Sequence, residues 1–511
     1  MFGAQGNAKH DGVSEKLSFA SPASYWKNGK NIVIFKHTKS QGFTVENLEV
    51  AFSSTPPPPP PVLTGIKPYK NNNSYWEYEG KPILLIGGFS QTSQPFLQTK
   101  SDLIKELDAT KANGGNYIRN TMAVFKKTKI QNVSPFVRLG NGKFDLDQIN
   151  NAYYDYLRVL FEEAHKRQII VQLELWDPLY FYGNAWVTSP WAPSNNINYS
   201  SADTGIPDTF TAKPYTEVNK IYYSVKDANK ASVLKYQEAF VKKVLEVAKP
   251  FDNIIYQIEN EEMKKVQPLS NDWADYWANF IKDNAGKTAY VTHMPADYDL
   301  LTSAKQDHVL KKTSSFGFLD ISQGGMGLTN QKRYELILKY VNKVKSGPKV
   351  RPVNSTKIYK WRSSTSSETS DEIAINRMWH NVFAGVAAVR FHRPGAGIDT
   401  PSVALRQTKS MRYFANSLDI TKMIPNNGIL SKRSSDEAYA MSEKKGKTHA
   451  VYFTGSSDRS VNINLNSASG NLQLTWYNTQ TGETKSGGTI SGGGTLTLTT
   501  PSSNSWVAIL K

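Results

Sequence analysis

Between residues 80 and 394, short apolar segments of strand character alternate with segments of helical periodicity, and that alternation most constrains the fold. The strand-like segments are GKPILLIGGFS, NYIRNTM, IIVQLELWDP, NIIYQIENE, TAYVTHMPA, FGFLDISQGG, VRPVNSTKIYKW and VAAVRFHRP. Most are separated by helix-patterned stretches such as SDLIKELDATKANGG, where Ser101 is the expected N-cap and Gly114 the terminator. A second helix is expected over Tyr153 to Arg167, with Tyr156, Leu157, Leu160 and Ala164 on one face. Eight such strands, most followed by a helix, predict an α/β chain closed as a (β/α)8 TIM barrel. The competing doubly wound sheet lacks support, because no glycine-rich phosphate turn follows the first strand.

Two changes of texture flank this region. Pro56 to Pro61 form an uninterrupted polyproline run, a stiff spacer between domains. The short alternating segments before it predict a partial N-terminal β fragment over residues 1–54, with a linker over 55–62 and the barrel over 63–431. From residue 432 onward, short alternating strands punctuated by Gly, Asn and Ser predict a C-terminal antiparallel β-sandwich to residue 511.

Composition narrows the function classes. The formal charge is +17, from 61 basic and 44 acidic residues, but the lysines are scattered and no nucleic-acid module is present. No nucleic-acid partner is expected. The absence of cysteine excludes disulfides and a thiol nucleophile. No apolar run is long enough to span a membrane. Residues 1–20 lack a signal-peptide core, which fits either an intracellular chain or a piece of a longer secreted one.

Barrel chemistry sits at the carboxyl ends of the strands, and polar residues are dense there. Ser90 and Gln91 follow the first strand, and Arg119 and Asn120 lie on the second. Gln172, Glu174, Trp176 and Asp177 occupy the third, and Gln257, Glu259, Asn260 and Glu261 the fourth. His293 closes the fifth, Asp320, Ser322 and Gln323 the sixth, Asn354 and Lys357 the seventh, and Arg390, His392 and Arg393 the eighth. Charges inside apolar strands are costly unless paired, so a ring of them argues for a built site. His293 and His392 read as hydrogen-bonding wall residues, since no HxH or HxxxH spacing supports a metal. Trp176, Trp186 and Trp191 straddle the loop after the third strand, where they are either a sugar-stacking platform or loop core. No GxSxG elbow is present.

Arg119 in NYIRN, the Asn260-Glu261 pair in YQIENEE, His293 after the fifth strand and the trailing sandwich resemble clan A of the glycoside hydrolases, which holds the family 5 cellulases. GGNYIRNTM, QLELWDP, VLKYQEAFV and AAVRFHRP, with the proline spacer, are similar to multidomain cellulases of heat-loving archaea. The resemblance implies an extracellular enzyme cutting a β-1,4-glucan such as cellulose, with no cofactor. It implies Glu261 as general acid/base, its pKa raised by apolar walls, and Asn260 on the sugar 2-hydroxyl. It also implies a nucleophilic glutamate on the seventh strand, where this chain carries Lys357 and no Asp or Glu between Val350 and Arg362.

Three readings follow. Another carboxylate replaces the missing one: Glu174 and Glu259 share strand parity with Gln172 and Gln257, and Asp177 and Glu368 lie on loops. Alternatively, Lys357 with Arg119, Arg390 and Arg393 suits an acidic, uronide-containing polysaccharide. In the third reading the barrel binds glycan without cleaving it.

Overall fold

A computed structural model describes residues 65–88, 92–123, 130, 133–210, 219–261, 270–286, 288–361, 367, 369–455 and 459–511. The N-terminal β fragment, the polyproline spacer, Ser90, Gln91 and Glu368 lie outside these residues.

Eight parallel strands form two four-stranded sheets. In chain order they are β1 Leu85–Gly87, β2 Tyr117–Thr121, β3 Ile170–Trp176, β4 Ile254–Glu259, β5 Val291–Thr292, β6 Leu319–Asp320, β7 Val353–Ile358 and β8 Ala388–Phe391. One sheet has the order β5-β4-β3-β2 and the other β6-β7-β8-β1. Every strand is buried along its length, as expected for parallel strands covered on both faces. Hydrogen bonds also run between the sheets. Asn116, just before β2, donates its backbone N–H to the Ile86 carbonyl (3.0 Å) while its side-chain oxygen accepts from Ile86 N–H (2.8 Å). On the other side Gly317 N–H reaches the Val291 carbonyl (2.8 Å).

Helices follow most strands, and several of them start at a side-chain cap. The helix Lys100–Ala112 begins at Thr99, whose hydroxyl accepts from Asp102 N–H, so the cap lies two residues before the expected Ser101. Gly114 does stand past its end, at φ +75°. The helices Asn151–Lys166, Ala231–Ala248, Ser270–Ala285, Asn330–Lys345 and Asp371–Phe383 match the periodic segments. Ala304–Lys311, between β5 and β6, and Pro401–Ser417, after β8, are additional.

The first expected strand divides in two. Lys81–Ile83 joins Lys67–Tyr69 and Asn72–Tyr78 in a small antiparallel sheet, leaving only Leu85–Gly87 for β1. From Met423 onward the chain is antiparallel, with one six-stranded and one three-stranded sheet. Alternation divides the six-stranded sheet's faces: Ala438, Ala440, Val451, Phe453, Trp506 and Ala508 enter the core between the two antiparallel sheets. Tyr439, Met441, Tyr452, Val507 and Ile509 belong to the large core of the α/β part. Trp379 stacks on Tyr452 at 5.1 Å between ring centroids.

Arg390 on β8 lies across β1 at Gly87, where an added Cβ would stand 2.3 Å from Arg390 Cγ. Because both the backbone and this stem are buried, Gly87→Ala is expected to destabilise by about 1–3 kcal/mol through overpacking, measured by denaturant unfolding.

Candidate active site

The interior between the sheets is polar and hydrogen-bonded. Gln172 on β3 donates to Gln257 on β4 and to Asp320 on β6 (2.9 Å), and accepts from Tyr117 on β2 and Asn354 on β7 (3.2 Å). Asp320 also accepts from Ser322 N–H (2.8 Å), Ser322 Oγ (2.5 Å) and Thr356. Trp76 Nε1 closes the lower end on Asn354 Oδ1 (2.9 Å).

Above this layer stand the charged residues. Arg119 on β2 binds Glu174 on β3 with Nε and Nη2, both side chains being fully buried. Gln257 Nε2 adds a further donor to the Glu174 carboxylate, at Oε1 (2.9 Å). Burial disfavours the Arg119 charge, but Glu174 outweighs it and holds the guanidinium ionised.

Glu261 follows β4 with φ +53°, a left-handed backbone uncommon outside glycine. Its Oε1 accepts from Lys357 Nζ on β7, Tyr359 OH (2.8 Å) and Gln323 Nε2 (2.6 Å). Lys357 Nζ also donates to Asn260 Oδ1 (2.7 Å), and Asn260 Nδ2 donates to Asp177 Oδ2 (2.9 Å). Asp177 caps the turn after β3, accepting from Leu179 N–H at 3.0 Å. The sequence-selected Arg119, Glu174, Asp177, Asn260, Glu261 and Lys357 are thus brought together, and Gln323 joins them.

The electrostatics differ from the expectation for Glu261. Burial pushes its carboxyl up, but the Lys357 charge and the hydrogen bonds from Lys357 and Tyr359 hold it below the ordinary glutamate value. The raised carboxyl is Asp177, pushed up to about 6 by burial, against the pull of Arg119 and with the charges of Glu174 and Glu261 adding to the rise. Lys357 is lowered by burial, with Glu261 opposing.

Glu259 is buried, and its carboxylate accepts from Tyr222, whose ring packs edge-on against Phe181 and Trp273. His293 is buried at the end of β5. Arg390 donates to the Thr356 carbonyl (2.9 Å), and burial, then Arg119, lowers it to about 10. His392 is buried, and burial with the charges of Lys357 and Arg119 pushes its pKa far down, so the ring is neutral. Arg393 Nη1 stands 2.9 Å from His392 Nε2.

A stacking platform at Trp176 is not what forms. Trp176 sits within 6 Å, between centroids, of Trp191, Phe240, Trp273 and Trp277, and it is buried, as are Trp186 and Trp191. These rings are loop and helix core, beside a cavity of about 20 Å³ that Asp177 and Tyr180 also line. Two residues escaped the sequence reading. Tyr359 lies two positions beyond Lys357, so strand parity could have found it; Tyr222 sits in the long insertion, where no periodicity marks it.

Among the described residues no group of three or more His, Cys, Asp or Glu could hold a metal ion, and no helix is long and apolar enough to cross a membrane. Residues 424–511 match the family described as "Putative collagen-binding domain of a collagenase". The chain is similar in structure to a glycoside hydrolase family 5 protein from Bacteroides vulgatus ATCC 8482, with a TM-score of 0.58 and 15% identity over 87% of this chain and 93% of that one. It is similar also to a second structure described as a glycoside hydrolase, with a TM-score of 0.58 and 14% identity over 87% of this chain and 96% of that one. No curated protein matches it in sequence. At such identities the likeness is one of fold, mixed α/β with parallel sheets and an antiparallel C-terminal part. It supports the clan A resemblance at that level and does not single out the archaeal cellulases.

Glu174→Gln would leave Arg119 buried without a counter-charge. A loss of about 3–5 kcal/mol in unfolding free energy is expected, from the cost of an uncompensated buried charge.

Proposed function

We propose that the chain is a glycoside hydrolase built on a closed (β/α)8 barrel, in which Asp177 and Glu261 divide the proton transfers. The observation that carries this reading is the pairing of Asp177, Asn260, Lys357 and Glu261 in one hydrogen-bonded series, with the two terminal carboxyls displaced in opposite directions. Two carboxyls whose environments drive their pKa values apart have the character of an acid and a base.

Asp177 keeps its proton to higher pH and donates it to the leaving glycosidic oxygen. Glu261 stays ionised and takes a proton from the water that attacks the anomeric carbon. The C–O bond to the leaving sugar breaks as the bond to water forms, leaving Asp177 ionised and Glu261 protonated, and proton exchange with solvent restores both. Lys357, Tyr359 and Gln323 each donate to Glu261 Oε1. The hydrogen-bonded series limits the carboxyl separation to no more than about 10 Å, which accommodates the roughly 6.5–9.5 Å of an inverting pair. Glu174, clamped by Arg119, and Glu259, held by Tyr222, serve this reading as supports of the site.

A β-linked polysaccharide is the substrate class we assign, and an extracellular location follows from a polymeric substrate. The β-1,4-glucan expectation loses the stacking platform at Trp176. The second reading, a barrel that binds glycan without cutting it, is favoured by the ion pair of Lys357 with Glu261.

Reducing-sugar release from a panel of β-glycans separates the two. Asp177→Asn and Glu261→Gln are each expected to lower kcat/KM by about 10²–10⁴-fold with the fold intact. In wild type, kcat/KM should fall as pH rises through about 6, where Asp177 loses its proton. It should also fall at low pH as Glu261 gains one, and Lys357→Met should move that acid limb upward. Binding without release of sugar from any glycan, or undiminished activity in Glu261→Gln, would sink the assignment.

A further inference from the structure

Resting on that reading, we infer that the sugar accepted at the carboxylate pair is a uronic acid, its carboxylate received by Arg119 Nη1 and His392 Nδ1 with Arg393 at the rim. The argument begins with tautomers. Arg393 can only donate, so its contact at 2.9 Å makes His392 Nε2 the acceptor and leaves the ring proton on Nδ1. That Nδ1–H is buried and has no hydrogen-bond partner among the described residues. Arg119 uses Nε and Nη2 on Glu174, and its Nη1 is likewise buried without a partner among the described residues. Buried donors of this kind are rare in folded proteins because leaving them unmatched is costly, so each calls for an acceptor.

The fold draws these donors together. Ser93 accepts the Thr121 N–H at the end of β2 through its carbonyl (2.9 Å) and lies 3.5 Å from Arg393 Nη1 beyond β8 through its hydroxyl. Arg390 packs its stem against β1 at Gly87. The Arg119 charge is felt by both Arg390 and His392, which places all three in one electrostatic neighbourhood.

Charge balance points the same way. Glu174 answers Arg119 and Glu261 answers Lys357. Arg390 makes its bond to a backbone carbonyl, and neither Arg390 nor Arg393 forms an ion pair with a described residue. Arg390 and Arg393 thus stand on the β8 side as cations without a carboxylate partner among the described residues, while Asp177, Glu259 and Asp320 are further carboxyls of the interior. Neutral glycans offer hydroxyls that both donate and accept; a carboxylate only accepts, which is what two unmatched N–H groups near these two cations are suited to bind. Trp176, Trp186 and Trp191 are buried and offer no stacking face for a neutral glucan.

The test is calorimetric binding, with product release followed in parallel, using four probes: a β-1,4-linked mannuronate tetramer, its methyl ester, cellotetraose and sulfated cellotetraose. The acidic tetramer is expected to bind about tenfold or more tightly than its ester, as charge-assisted hydrogen bonds are the stronger kind. That gap should narrow in Arg393→Gln and shrink with added salt. Equal binding of acid and ester, a preference for cellotetraose or for the sulfated probe, or no binding of any of the four would overturn the inference. Tight binding of the mannuronate without its cleavage leaves the inference standing and sinks the hydrolase reading; cleavage of the neutral probe with no acidic preference does the reverse.

Discussion

The side-chain amide of Gln172 ties the two parallel sheets to each other, and the site above depends on that tie. From β3 it donates to Asp320 on β6 and accepts from Asn354 on β7, so a single residue spans both sheets. An apolar side chain could fill the space but could not fix the rotation of one sheet against the other. An amide can, because donor and acceptor lie at opposite corners and each demands its partner. Asp320 illustrates the same economy. Its carboxylate meets four donors from Gln172, Thr356 and Ser322, so its lone pairs are satisfied by neutral groups.

One layer higher the currency changes from amides to charge. Arg119 with Glu174 and Lys357 with Glu261 are buried or half-buried ion pairs, and pairing is what makes such charges tolerable away from water. The second pair has a chemical consequence. A glutamate at the end of β4 facing a carboxylate across the mouth would have its proton held by repulsion. Facing Lys357, it is held below the ordinary glutamate value, while burial raises Asp177, with the charges of Glu174 and Glu261 adding to the rise. The residue type at the end of β7 therefore decides in which direction the Glu261 carboxyl is displaced.

The sequence made the strand-helix alternation legible because most strands are apolar runs interrupted by polar residues of one parity. Arg119, Glu174, Gln257 and Lys357 stood out for that reason. Val291–Thr292 and Leu319–Asp320 are only two residues long, too short for any period to define, and the eight-residue helix Ala304–Lys311 between them was missed. The sign of the Glu261 shift was illegible for a different cause. It depends on a contact with Lys357, far along the chain, that only the meeting of the two sheets creates. The choice between platform and core at Trp176 was open for the same reason: its packing partners Trp273 and Trp277 come from a helix distant in sequence.

The antiparallel C-terminal part is linked to the site through one helix. Tyr452 stacks on Trp379 and donates its hydroxyl to Asn376 (2.6 Å), both on Asp371–Phe383. Arg377 on that helix donates to the carbonyls of Tyr359 (3.2 Å) and Trp361 (2.8 Å), beyond the end of β7. Tyr359 in turn donates to Glu261 Oε1 at 2.8 Å. The segment after β7 is held by backbone bonds from Lys360 N–H to the Ala396 carbonyl (2.8 Å) and from Ser370 N–H to the Lys360 carbonyl (3.2 Å), and Arg377, on a helix packed against the sheet, adds two side-chain bonds to it. A domain that reads as an appendage in sequence thereby contributes to where the Tyr359 hydroxyl stands, and so to how firmly Glu261 is kept ionised.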